Sequence, residues 1–331
     1  NKKNYSIRSF DILNNKKIAY AGDKGVINFY DIPPSDGVKS NALPISNIKI
    51  VENYANIDDR IRNLVYVHDS ILIATTFSKK VFKINPKKNS TLTLKPFHKI
   101  SEYKNDILDF FVDAINNKQF LITTDYIITF NNYSLPTKNL KYKNIKATYY
   151  RDSKLFIVSQ NKVFVIDENG NSEEILLDID LNDMNIVNKL YVTATYLFLA
   201  NENGNVFGYD YDTKDIKNKN PKKQKFKFLD HSSSITSMFL EEDKNLLFTA
   251  SLDNKIFRYN IDYASEFIRN SKANFVGHEK WIWDMNTYTD KANQKFLITA
   301  DEEGNLLKWY INPDEFLDKI ELLYKKKYLN K

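Results

Sequence analysis

Cysteine is absent from the 331 residues. Disulfides, thiolate metal sites and cysteine nucleophiles are therefore excluded, and the composition is compatible with a reducing, cytoplasmic compartment. Histidine is scarce: His68, His98, His231 and His278 are the only four, and none stands at the spacing of a metal-binding pair. No apolar run is long enough to cross a membrane, and no secretory leader is visible. A Gly-Lys-Ser/Thr phosphate loop is missing, as is a Gly-x-Ser-x-Gly nucleophile elbow. The segment Asp167-Glu168-Asn169-Gly170-Asn171 starts like a calcium loop but lacks its length and its terminal Glu, so it reads as a hairpin turn. No cofactor and no metal are expected. The chain opens on Asn1, not Met, and is read as a mature or excised piece, so the missing leader carries little weight.

Hydrophobic residues make up 42% of the chain and aromatics 14%, with 21 Tyr and 22 Phe. That is ample for a large core and leans towards strands. The net charge is +6, mild for this length. It allows an acidic partner without demanding nucleic acid.

The principal signal is an internal repeat. Asp230-His231 precedes Ile235-Thr236-Ser237-Met238-Phe239, then Leu246-Leu247-Phe248-Thr249-Ala250-Ser251, then Asp253 and Ile256-Phe257-Arg258-Tyr259. About fifty residues later Gly277-His278 precedes Trp281-Ile282-Trp283-Asp284-Met285, then Phe296-Leu297-Ile298-Thr299-Ala300, Glu303-Gly304 and Leu306-Leu307-Lys308-Trp309. Strand periodicity extends the plan upstream. Triplets of strands fall at 7–12, 18–21 and 26–31; 61–67, 71–75 and 81–84; 107–112, 120–123 and 126–130; 145–150, 155–159 and 163–166; 187–193, 197–200 and 206–209. The second-strand anchors lie near 21, 74, 123, 159, 200, 250 and 300, spacings suited to propeller blades.

This pattern resembles the WD-repeat family. The resemblance implies an all-β, seven-bladed propeller of four-stranded antiparallel blades over 1–312. It also implies a polar network in the last two blades: His231, Thr249, Asp253 and Tyr259, then His278, Thr299, Glu303 and Trp309. Tyr259 and Glu303 depart from the family pattern. The family usually draws the outer strand of its last blade from the N-terminal segment, which here is only Asn1 to Asn4 ahead of the first strand; upstream residues, or a weak pairing of 1–5, are the expectation. Beyond Asn312 the pattern turns helical. Asn312 can cap, Pro313 suits the first turn, Asp314 and Glu315 complement the dipole, and Phe316, Ile320 and Leu323 share a face ahead of Lys325, Lys326 and Lys327. An amphipathic helix and basic tail are expected over 313–331, packed on the rim or docking a partner.

In propellers of this family, residues flanking the first hydrophobic position of each inner strand reach one face beside the central channel. By that resemblance the earlier positions are Ser6, Arg60, Asp106, Asn144, Ser234 and Trp281. The later ones are Arg8, Arg62, Leu108, Lys146, Asn188, Thr236 and Trp283, with Lys189 beside them. Arg and Trp are the residues most enriched at interface hot spots, and Arg binds carboxylates bidentately. Arg8, Arg60, Arg62, Lys146, Lys189, Trp281 and Trp283 are therefore the candidate partner-binding residues, facing an acidic protein segment, with a tryptophan as anchor. The stretch 214–227 interleaves seven lysines with Phe226; it could bind single-stranded nucleic acid, but reads better as a loop leading into an outer edge strand.

The expected function is a non-catalytic scaffold or sensor domain. The last two repeats are similar to WD-repeat regions at the C-terminal ends of large bacterial signalling proteins, which implies an upstream domain in the same polypeptide; a eukaryotic adaptor fits the fold equally. Two alternatives stay open: a propeller hydrolase or lyase with paired carboxylates at the channel mouth, and a nucleic-acid-binding propeller.

Overall fold

The computed structural model describes residues 5–32, 43–44, 53–56, 59–67, 71–85, 90–93, 105–113, 115–131, 136–211, 221–261, 273–290 and 293–311. The expected C-terminal helix at 313–331, and Lys214, Lys217 and Lys219, lie outside these residues.

Seven four-stranded antiparallel sheets form the seven blades of a β-propeller. Their inner strands are Ile7–Leu13, Ile61–Val67, Ile107–Asp113, Ile145–Arg151, Val187–Val192, Ile235–Glu241 and Ile282–Thr289. Each opens on Ile or Val, and that residue is buried in all seven. The second strands are continuous apolar runs because both of their faces are covered. All six residues of Tyr196–Asn201 and of Leu246–Ser251 are buried. The expected strand triplets in blades one to five agree with the observed ones to within two residues at each end.

Seven apolar clusters hold the ring, one at each junction of neighbouring blades. Ile7, Phe10, Tyr288 and Ile298 join blade seven to blade one. Ile61, Leu64, Ala19 and Ile27 join one to two, and the series continues through the other five junctions. Among the described residues no blade has a private core, so each depends on both neighbours.

Blade seven differs from the expectation. Its outer position is filled by Leu43–Pro44, which pairs with Leu307 and Lys308 of the third strand. The chain leaves blade one after Val26–Asp31, pairs with blade seven, and returns as Asn53–Asn56 to complete blade one. Closure therefore comes from inside blade one, not from a segment ahead of it. Pro44 suits this place because an outer strand has one side free of ladder bonds.

The outer strand of blade five is Gln224–Phe228, with Phe226 and Phe228 buried and Lys225 and Lys227 exposed. The alternation is that of an edge strand.

Candidate binding face

All seven inner strands carry the same irregularity. Ile7 pairs with Gly22 and Ser9 with Ala21, so Arg8 is an extra residue. The same break in register falls at Arg62, Leu108, Lys146, Asn188, Thr236 and Trp283. A bulge bends its strand and re-aims the side chain it carries. It also shifts the in–out alternation: in Ile61–Val67 the buried residues are the first, fourth and seventh. Each bulge lies at the end of the ring where the inner strands begin, here called the top. These seven residues are the later positions expected from the repeat.

Six of the seven bulge residues, all but Lys146, line a central cavity of about 720 Å³, together with Phe77 and Lys189 among others. The Arg8 guanidinium lies 4.1 Å from the Trp283 ring centroid and 5.7 Å from that of Phe77. Arg60 and Arg62 approach the same phenylalanine at 4.6 and 5.3 Å. Phe77 thus gathers three arginines from two blades. Its own backbone is tied down, its N–H donating to the Arg60 carbonyl at 3.0 Å. Such cation–π contacts contribute about 0.5–2 kcal/mol each and fix the planes of the guanidinium groups.

Arg8 is also held by Asp23, with Nε at 2.5 Å from Oδ1 and Nη2 at 3.3 Å from Oδ2. Arg62 has no such partner among the described residues; burial lowers its pKa, and the more distant Asp106 and Asp109 oppose that shift. Trp283 donates its indole N–H to Glu302, which also accepts from Ser6 Oγ at 3.2 Å. Trp281 stands half-exposed and meets Trp283 edge-on, with centroids 5.9 Å apart.

Two candidates are placed differently. Lys146 is at its bulge, but its ammonium donates to Asn161 Oδ1 at 3.0 Å and to the Asn185 carbonyl; it braces blade four against blade five and does not line the cavity. Lys189 lies one residue past its bulge and lines the cavity among carboxylates.

Those carboxylates are Asp11, Asp109 and Asp284, on three different inner strands. Burial pushes Asp284 up to about 6, against the pull of the Phe10 and Met285 amides and of Lys189. Asp11 and Asp109 are also raised by burial. Their oxygens are engaged in joining blades. Asp284 accepts the Phe10 N–H at 3.1 Å, and Asp11 accepts the Tyr66 N–H at 2.7 Å. Asp109 takes Asn63 Nδ2 and Thr148 Oγ1, each at 3.0 Å.

Away from the mouth, the polar network of blade seven is complete, with one substitution in its membership. Trp309 Nε1 donates to Thr299 Oγ1 at 2.7 Å, and Thr299 lies 2.6 Å from His278 Nε2. His278 Nδ1 then meets Asp301 Oδ2 at 2.8 Å. An indole can only donate, so the Thr299 hydroxyl accepts from Trp309, and His278 links that hydroxyl to Asp301. The acid is Asp301, not the expected Glu303, which is exposed and lies 4.0 Å from Lys280. The reason is local: Asp301 ends its strand and already caps the turn, accepting the Glu303 and Asn305 amides at 3.0 and 2.8 Å. Burial would raise it, but His278 and the backbone and side-chain amides of Asn305 hold it below the usual carboxylate range. In blade six His231 bridges Asp253 at 3.0 Å and Thr249 at 2.8 Å, as expected. Tyr259 takes the tryptophan's place, but its hydroxyl is buried without a hydrogen bond of normal geometry, and burial beside Asp230 drives its pKa upward.

Phe77, Glu302, Asp301 and the three cavity aspartates were not singled out by the sequence. Asp301 had a usable signal: the five-residue turns 167–171 and 201–205 also run from an Asx that caps the turn to an Asn. The reading of 167–171 as a turn holds, with Gly170 at φ +80°. Among the described residues no cluster of His, Asp or Glu is arranged to hold a metal ion, and no helix is long and apolar enough to cross a membrane. Compared with known proteins, the chain matches no family model and none of the curated proteins.

Proposed function

We propose that this propeller is a non-catalytic binding platform of the WD-repeat type, which receives an acidic segment of a partner protein at the top mouth. The observation that carries the reading is the arginine cluster on Phe77, flanked by Trp283. Three guanidinium groups held over one ring are pre-oriented, so less side-chain freedom is lost when a carboxylate docks. Arg62 is the strongest candidate contact, because it is partly desolvated and has no ion pair among the described residues. The His–Thr–Asp–Trp chain of blade seven supports the WD-type assignment. A place at the end of a larger signalling polypeptide, as its cytoplasmic sensor, completes the proposal.

The cavity carboxylates favour this reading over a hydrolase. Each is engaged with a neighbouring blade, and an acid committed to such hydrogen bonds is poorly free to transfer protons.

The test is a pull-down from native lysate with the native chain and an Arg62→Glu, Trp283→Ala double variant, folding of both being checked by circular dichroism. A specific protein retained by the native chain and lost by the folded variant is the expected result. Retention of the same protein by both would place the binding site elsewhere. Retention of nucleic acid, released steeply by salt, would replace the protein partner.

A further inference from the structure

The cavity below the arginines has the size and the wall of a small-molecule site. Its volume of about 720 Å³ falls within the roughly 300–1,000 Å³ usual for such sites. Successive residues of the inner strands line it at different depths. The bulge residues Arg8, Arg62 and Trp283 stand uppermost. The residue after the bulge supplies Asp109, Lys189 and Asp284 in blades three, five and seven. Two residues further along, about 10 Å down the strand from the bulges, blades three, four and five supply Phe111, Tyr149 and Tyr191. The wall there is aromatic and uncharged, because burial pushes both phenols upward and keeps them protonated.

Hydrogen-bonding capacity in the cavity is unevenly spent. Both oxygens of each carboxylate are taken. Asp11 accepts from Ile12, Tyr66 and Asn286. Asp109 accepts from Asn63, Phe110 and Thr148, and Asp284 from Phe10 and Met285. Among the cations, Arg8 is committed to Asp23 and covered by the Trp283 ring. Arg62 and Lys189 have neither an ion pair nor a side-chain hydrogen bond among the described residues, although both act on the charge of Asp109. A guanidinium carries five N–H donors and an ammonium three, so the unspent capacity is donor capacity and cationic. The three carboxylates limit the charge that can enter. They leave Arg62 and Lys189 with no surplus, so one anionic group is held at short range by those donors. A second would face the carboxylates without a partner of its own.

We propose that the cavity binds a small organic monoanion, its carboxylate held by Arg62 and Lys189 and its flat apolar body against Phe111, Tyr149 and Tyr191. This goes beyond the platform reading, because the ligand lies below the face that receives the partner and gives the proposed sensor a chemical input. The two readings share Arg62. Lys189, one residue deeper than the bulges, tells them apart.

The experiment titrates naphthoate, indoleacetate and biphenylcarboxylate, each beside its neutral carboxamide, against the full chain by calorimetry and ligand-observed NMR. Acetate serves as the anion without a body. The proteins are the native chain, Arg62→Gln, Lys189→Met and Lys189→Arg, with folding checked by circular dichroism. Expected is binding of at least one aromatic acid, with its amide and acetate weaker by about tenfold or more. Arg62→Gln and Lys189→Met should weaken the acid by a similar factor and leave the amide unchanged, and Lys189→Arg should retain the acid. A collapse of the cavity would instead weaken acid and amide together, and that result would overturn the proposal. So would acids and amides that bind alike, acids indifferent to both variants, or no acid bound at millimolar concentration. Failure on any of these counts, with a partner still captured by the native chain and lost by the Arg62→Glu, Trp283→Ala variant, would leave the platform standing. Acid binding without a captured partner would do the reverse.

Discussion

Two side chains two residues apart, Asp301 and Glu303, have very different consequences. Asp301 is buried and serves His278 and two turn amides at once. Replacing it with alanine strands all three donors, and we expect a loss of about 2–4 kcal/mol in denaturant unfolding. Glu303→Ala removes an exposed carboxylate and should change stability by less than about 0.5 kcal/mol. Equal effects would reject the network as drawn. Asp284 gives a pH signature of opposite sign to the usual carboxylate. Its folded pKa, about 6, lies above the ordinary carboxylate value of 3.8. Between those values the native state binds more protons than the unfolded one, so stability falls as pH rises through this window. Asp284→Asn removes that term. The variant's stability relative to the native chain should rise between pH 4 and 6, by up to about 3 kcal/mol; a pH-independent difference would show that the carboxyl is not raised.

At the scale of the element, the repeated device is a bulge at the second residue of every inner strand. Its positions were legible because each follows the first buried Ile or Val of a strand with clear periodicity. The strands of blades one to five were legible for the same reason, being local patterns such as Leu197–Leu199 and Val206–Phe207 in buried runs. What was not legible depends on distant residues. Phe77 gives no sign in sequence that it receives Arg8, which comes from another blade. The closing strand Leu43–Pro44 is two residues long and pairs some 260 residues away, so no periodicity could mark it. Asp301 was passed over because the acid of blade six, Asp253, lies two residues beyond its strand end, and the same offset pointed to Glu303. The turns also make a test. Gly304 has φ +82°, and a Cβ there would lie 2.4 Å from the Tyr5 carbonyl oxygen. Gly304→Ala should therefore destabilise by more than about 1 kcal/mol, with faster amide exchange first at the junction of blades seven and one. Unchanged exchange at Tyr5–Ile7 would show that this junction tolerates the insertion.

The whole molecule is a ring in which seven junction clusters and an inner belt of polar bonds act together. Asp284 ties blade seven to one, Ser9 and Asp11 tie one to two, and Asn63 ties two to three. Thr148 ties four to three, Asn188 ties five to six, and Ser237 ties six to seven. Between blades four and five the rings of Tyr149 and Tyr191 pack at 4.8 Å. Such a frame fixes the bulge residues relative to one another, which makes a pre-organised mouth possible. The most direct measurement is hydrogen exchange on the full chain, with and without the partner retained in the pull-down. We expect slowed exchange at the amides around Arg8, Arg62, Phe77 and Trp283, on the top face. Protection confined to the opposite end, at the turns near Ile115, Asp152 and Glu242, would contradict the account.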